Sequence, residues 1–492
     1  MLKRIGGEES GEFKAVASGA LASGKTVIVN ADGTVSAAAS TGNAAAVGTT
    51  TTFESGQVEH MGGAYDSNLN LVLFSYKDDS NSDYGTAVAG AVSGNGISFG
   101  TPVVYSSINT NLNKAVFDSN ANKFAIFYYR NNDDTANAIV CTAASDKSIS
   151  FGSTQQFDGT SVGRLVATFD SNSNKCVAVY TKYTPSSDER DGCAIVGTIS
   201  GTSISFGSRE DWDNESLASS AVTFDSNSNK VVIFFSVESN NSKFECRVGT
   251  VSGTDISFGN AVEIDGTVRG EGIVATFDSN SNKVVAAFRD AANNNKGKCA
   301  VGTVSGTSIS FGTPAKFTES VVGTDGAVTA LGFDTANNKV GIAFMDSTNV
   351  EGRFIVGTVS GTGISFADEQ TYTTAGRPGD IAGCLYDDNA DRFVVGYGET
   401  TSRIGRANVI AIDTLVTNLT SENYIGISKG GAVATTKDAT VGIVGSVNGE
   451  QSSLTPGQQY FVQLDGSLGT TAADPSVLAG TAISATELLI KT

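Results

Sequence analysis

Seven short loops of one composition are the first candidates for chemistry in this 492-residue chain. Three of them read Asp-Ser-Asn-Ser-Asn-Lys, beginning at Asp170, Asp225 and Asp278. Oxygen-bearing side chains at alternate positions are how a calcium-wrapping loop begins. Such a loop also needs glycine at its sixth position and an acidic ligand at its twelfth. Here the sixth position holds Lys123, Lys175, Lys230 or Lys283, and the twelfth is Thr181 or Ser236 in the copies from Asp170 and Asp225. The loops read as hairpin turns, and no metal is assigned to them. In a turn the Asp carboxylate accepts from backbone N–H groups two or three residues on, and Asn tolerates left-handed backbone.

The remaining reactive residue types are sparse. His60 is the only histidine, so a Ser-His triad would rest on it alone, and no G-x-S-x-G accompanies it. It reads as a structural or channel-edge residue. A glycosidase needs two facing carboxylates. The stretches LVATF, AVTF, IVATF and AVTALGF are apolar, and acids gather in loops such as Asp133-Asp134 and Glu189-Arg190-Asp191. The S-x-D-x-G-x-x-W turn of sialidase propellers does not occur. Of six cysteines, none forms a CxxC pair, and Cys193, Cys246 and Cys299 recur at one position of a repeated strand. That recurrence reads as a small buried apolar residue in a chain made in a reducing cytosol. Trp212, the sole Trp, sits where Tyr105, Phe157 and Phe317 stand in other copies, which predicts packing rather than a sugar platform. The loops Tyr128 to Asn137 and Thr181 to Gly192 depart most from the repeat and are the better binding candidates. No catalytic residue and no cofactor is assigned.

The elements that carry these loops repeat. An aromatic-Asp pair starts each copy, at Tyr65, Phe117, Phe169, Phe224, Phe277, Phe333 and Tyr386, at intervals of 52, 52, 55, 53, 56 and 53 residues. Each copy holds four strand-like runs; in the fifth they are Gly272 to Asp278, Lys283 to Asp290, Lys298 to Gly306 and Ser308 to Phe317. Four antiparallel strands at this period predict propeller blades, with an open β-solenoid as competitor. The ends favour the propeller. The seventh copy lacks its own ISFG-type strand, and a matching strand, VGTTTTFES (Val47 to Ser55), precedes the first copy. Pairing the two removes both open sheet edges. The predicted fold is all-β: a seven-bladed β-propeller of four-stranded blades over 47–414, closed by strand 47–55. The flanks 1–46 and 415–492 are β-rich, with turns at Asn30-Ala31-Asp32-Gly33 and Asp465-Gly466, and are expected to form one small attachment or oligomerisation domain.

A formal charge of −19 without a basic cluster disfavours nucleic acid and anionic lipid as partners. No window approaches the roughly 18 apolar residues of a membrane span, so no membrane insertion is expected. The start MLKRIGGEESGEF lacks the apolar run of a signal peptide.

The repeats FDSNSNKVV and VGTVSGTSISFG resemble repeats in virion-associated proteins of marine bacteriophages, of the tail-fibre and capsid-surface type. LASGKTVIVNADGTVS and SLTPGQQYFVQLDGSLGTTAADPSVLAGTAISATELLIK resemble segments that accompany them. The resemblance spans nearly the whole chain and carries over no catalytic residue. It implies a non-enzymatic virion structural protein, assembled in the host cytoplasm, with other virion proteins of the tail or capsid as partners, a host surface glycan or protein as target, and a homo-oligomeric state. A tail-fibre or tail-associated adhesin ranks first, a capsid decoration or head-fibre protein second; a free carbohydrate-binding lectin and a propeller glycosidase are the other classes.

Overall fold

The computed structural model describes residues 11–41, 45–184, 189–213, 216–237, 243–323, 329–374, 378–412, 416–430, 437–473 and 475–491. The expected boundary at 414/415 and residues 185–188 of the Thr181 to Gly192 loop lie outside them. The chain is all-β, built from antiparallel sheets, and its described helices are the single 3-10 turns Asp79–Asn81 and Ala291–Asn293. Among the described residues no helix is long and apolar enough to cross a membrane. The chain divides into two compact units, one from Ala44–Ile412 and one combining Met1–Asn43 with Asp413–Thr492.

In the larger unit repeats three to six each form a five-stranded sheet, whereas repeats seven, one and two share one thirteen-stranded sheet through the long strands Thr51–Asp66 and Val103–Asp118. Repeat five runs Gly270–Asp278, Lys283–Asp290 and Lys296–Ser305, each pairing with the next. The expected fourth strand is two: Ser308–Phe311 and Ala315–Val321 both pair with Lys296–Ser305, with Gly312 between them. The Gly312 N–H still donates to Val301 O at 3.1 Å, and the chain then steps off the ladder before rejoining it. The same bond recurs at Gly48, Gly100, Gly152, Gly207, Gly259 and Ala367.

Why the second strands read as unbroken apolar runs follows from period-two alternation between two buried faces. In Lys283–Asp290, Val284, Ala286 and Phe288 enter a cluster shared with repeat four, while Val285 and Ala287 enter one shared with repeat six. Among the described residues seven such clusters each join two repeats; the one containing Phe53, Val394 and Val409 with Val72, Phe74 and Val88 joins repeats seven and one. Each buried large side chain contributes about 1.5–3 kcal/mol.

The edge of repeat seven comes from the start of the chain, in two pieces rather than as one strand over 47–55. Ala45–Val47 pairs with Ile404–Ile412 through Ile410↔Val47, and Thr51–Asp66 pairs with it through Ala407↔Thr51 and Arg406↔Thr52. Thr51–Asp66 then continues without interruption as the first strand of repeat one. The division falls at Gly48, for a steric reason common to six copies. An added Cβ would stand 1.8 Å from Asn95 O at Gly48, 2.4 Å from Lys147 O at Gly100, 1.8 Å from Thr202 O at Gly152, 2.0 Å from Thr254 O at Gly207, and 2.1 Å from Thr307 O at Gly259 and Thr362 O at Gly312. Each carbonyl belongs to the hairpin between third and fourth strands of the following repeat. Repeat six carries Ala367 instead. Repeat seven has no such hairpin, because its edge strands come from Ala45–Val47 and Thr51–Asp66.

In the smaller unit, Glu12–Val16 pairs with Asp438–Gly442 and Thr26–Val29 with Tyr424–Lys429, so N- and C-terminal segments share one sheet. A second sheet comprises Val447–Asn448, Leu488–Ile490, Leu478–Ala482, Gln459–Val462 and Leu468–Gly469. Both expected turns form. Gly33 and Gly466 take φ of +81° and +80°, and Asp32 and Asp465 accept from the Thr34 and Ser467 amides at 2.9 Å.

Candidate functional site

The aromatic-Asp loops are uniform hairpins. Asp66, Asp118, Asp170, Asp225, Asp278, Asp334 and Asp387 are buried, and the Oδ1 of each accepts from the amides two and three residues on. The fourth residue after each is left-handed: Asn70, Asn122, Asn174, Asn229, Asn282, Asn338 and Asp391, with φ between +52° and +56°. These carboxylates are spent on backbone.

The opposite end of the same strands is irregular. In repeats one, two, three and five the pairing slips, between Glu59 and Gly62, Asn111 and Lys114, Gly163 and Val166, and Glu271 and Val274. Each slip holds a left-handed residue five positions before the motif aromatic: His60 (φ +51°), Leu112 (+56°), Arg164 (+50°) and Gly272 (+56°). A bulge of this kind re-aims its side chain. These four residues line a cavity of about 1020 Å³, to which all seven first strands contribute wall. Small and aliphatic side chains such as Ala115, Val166, Ala221, Val274, Leu331 and Leu385 form its shaft.

Charged groups crowd the bulge end. The Met61 peptide is held from both sides: its N–H donates to Asp380 Oδ2 of repeat seven at 3.0 Å, and its carbonyl accepts from Lys114 Nζ of repeat two at 2.9 Å. Asp380 Oδ1 is buried without a hydrogen-bond partner among the described residues. Ser220 Oγ donates to Arg164 O at 2.7 Å, and Ile273 N donates to Ser219 Oγ at 3.2 Å, so neighbouring repeats are tied at the bulges here too. Arg403 pairs with Glu59 Oε1 at 2.6 Å and Asp79 Oδ2 at 2.9 Å, and Arg289 pairs with Glu271. Burial pushes the Asp380 carboxyl above its ordinary range and the Lys114 ammonium and His60 imidazole below theirs. The arrangement offers donors and acceptors around a greasy shaft, which is recognition chemistry.

His60 thus sits at the edge of the cavity. Among the described residues, the loops singled out earlier contribute nothing to its lining. Tyr128 and Tyr129 of the first are buried, the Tyr129 hydroxyl donates to Asp134, and Arg130 pairs with Asp133 at 2.8 Å. In the second, Lys182 lies 3.9 Å from both Asp191 and Asp211. Trp212 is 8% exposed and packs on Phe235 and Phe258 of repeat four, with ring centroids 5.0 and 6.0 Å away. An added Cβ at Gly192 would stand 2.7 Å from its ring. All six cysteines are free and buried, and burial raises their thiols, that of Cys141 to about 12. Among the described residues no group of three or more His, Cys, Asp or Glu is gathered as a metal ligand set. The bulge carboxylates Glu59, Glu271 and Asp380, which stand on strands rather than in loops, escaped the sequence reading. The signal was present six residues before each of these aromatics, where residue type is scrambled while its surroundings repeat.

No family model and no curated protein matches this chain. Among solved structures it is similar to a protein from Lactobacillus plantarum, with 13% identity over 62% of this chain and 83% of that one and a TM-score of 0.43. It is similar also to a protein of unknown function from Dyadobacter fermentans, with 10% identity over 74% and 99% and a TM-score of 0.43. A mutant Aleuria aurantia lectin in complex with Fucα1-6GlcNAc follows, with 13% identity over 64% and 98% and a TM-score of 0.40.

Proposed function

We propose that the seven repeats close into a seven-bladed β-propeller and that the protein is a non-enzymatic virion component, a tail-fibre or tail-associated adhesin presenting that ring to a host surface. The observation that carries the closure is the pairing of Ala45–Val47 and Thr51–Asp66 with Ile404–Ile412, which leaves repeat seven the same edge as the other repeats. The apolar cluster joining repeats seven and one, and the Gly48 approach to Asn95, repeat what happens between the others. Both flanks share one sheet, so the ring is an insertion with a single entry and exit in the chain, as suits a presented module. The virion assignment rests on the resemblance of FDSNSNKVV and VGTVSGTSISFG to phage repeats. The terminal unit is then the attachment or oligomerisation domain and the partners are other tail or capsid proteins. A capsid decoration or head-fibre placement is the second reading, since the same repeats occur in both settings.

Mass spectrometry of gradient-purified particles, with gold labelling against this chain, tests the assignment. The protein is expected in the particle band with label on tails. Label on heads selects the second reading, and absence from the particles ends both.

A further inference from the structure

The bulge end of the cavity carries three unusual features. His60, Leu112 and Arg164 hold left-handed backbone, a conformation glycine adopts freely and other residues adopt at a cost. Repeat five has glycine at this position, and an added Cβ at Gly272 would meet no atom within 4 Å, so a side chain here projects into open space. Leu112 packs against the apolar cluster joining repeats two and three, but Arg164 is exposed, and keeping His60 and Arg164 where glycine fits implies that their side chains are wanted at the cavity. The second feature is Asp380 Oδ1, a buried acceptor with no hydrogen-bond partner among the described residues. The third is charge balance. Lys114, Arg164, Arg289 and Arg403 stand among Glu59, Glu271, Asp380 and Glu399 around the same cavity.

Four cations interleaved with four carboxylates repel a simple anion as much as a simple cation. A neutral hydroxyl-rich molecule suits such a lining, because each hydroxyl donates to a carboxylate and accepts from an ammonium or guanidinium. The apolar shaft below takes the C–H faces of sugar rings, and about 1020 Å³ reaches the upper end of ordinary ligand pockets. We infer that the bulge end of this cavity is a saccharide site for a neutral oligosaccharide, with a hydroxyl donating to Asp380 Oδ1 and Arg164 donating to an acceptor oxygen. The inference rests on the host-attachment reading and names the class of target.

The full-length chain is to be titrated calorimetrically with maltotriose, cellotriose and tri-N-acetylchitotriose as neutral probes, with a trigalacturonate and a glucosamine trimer as charged controls. At least one neutral trisaccharide is expected to bind, more tightly than either control. Arg164→Ala removes a charged hydrogen bond and is expected to weaken binding about tenfold. Gly272→Leu, at a position whose counterpart Leu112 already carries the same side chain and φ, blocks the mouth and is expected to weaken it as much, with an unchanged melting temperature within a few degrees reporting an intact fold. The site is overturned if no neutral probe binds, if a charged trimer binds more tightly, or if both variants bind like the parent. Particle association is measured separately: a protein found on particles that ignores all five probes loses this site and keeps its virion role.

Discussion

The two ends of the first strands obey different rules. At the aromatic-Asp end, seven copies make the same two hydrogen bonds and place a left-handed Asn or Asp at the same step. At the bulge end the corresponding positions hold His60, Leu112, Arg164 and Gly272, and the groups facing them differ from repeat to repeat. Uniformity marks the end whose side chains are consumed by the backbone. Variation marks the end whose side chains face open volume. Stability and recognition are thus separated along a strand of nine residues such as Gly270–Asp278.

The widest test of that separation changes both ends of one strand. Asp278→Ala leaves the Asn280 and Ser281 amides without their acceptor beside a buried site, and a loss of about 3 kcal/mol is expected from two charge-assisted bonds. Glu271→Ala, at the other end, removes a partly buried ion pair with Arg289 and is expected to cost about 1 kcal/mol. Urea midpoints of the full chain read both. Equal losses would break the comparison.

A somewhat smaller effect is expected at the contacts between repeats. Gly207→Ala drives a Cβ to 2.0 Å from Thr254 O, where backbone must yield, and overpacking of this kind costs about 2 kcal/mol. Ala367→Gly occupies the equivalent place beside a repeat that has no such hairpin, and the chain entropy of glycine with the packing of one part-buried methyl, together about 1 kcal/mol, is expected to be lost. If Ala367→Gly proved as damaging as Gly207→Ala, the steric account of the recurring glycine would fail.

These magnitudes also explain what could be read from the chain. The hairpins were legible in full, because Asp and Asn act there on backbone within four residues, and local chemistry of that range is visible as a motif. The offset edge of repeat seven was legible because it left a strand missing at one end and surplus at the other. Its division at Gly48 was not, since the reason is a carbonyl at Asn95, 47 residues away. The split fourth strand was hidden likewise: SISFGTPAKF alternates well enough for one strand, and only the packing of Gly312 on the next repeat interrupts it. The cavity was least legible. Asp380, Met61 and Lys114 come from three different repeats, and no spacing along the chain announces that they meet.

The smallest effect is the sharpest. Arg164 holds φ at +50°, and for a residue with a Cβ that backbone costs about 1–2 kcal/mol. Arg164→Gly relieves this strain, while the added freedom of the unfolded chain returns about 0.5–1 kcal/mol against it. The backbone bond from Ser220 Oγ to Arg164 O survives the change, because it uses only the carbonyl. The contacts of the guanidinium are lost as well, so stability is expected to change by no more than about 1 kcal/mol in either direction, read as the urea midpoint, whereas Asn282→Ala at the uniform end, also left-handed at φ +55°, has its strain increased and its stability lowered. A clear loss of stability in Arg164→Gly would mean that the arginine supports the fold after all, and the division of labour between the two ends of the strand would have to be abandoned.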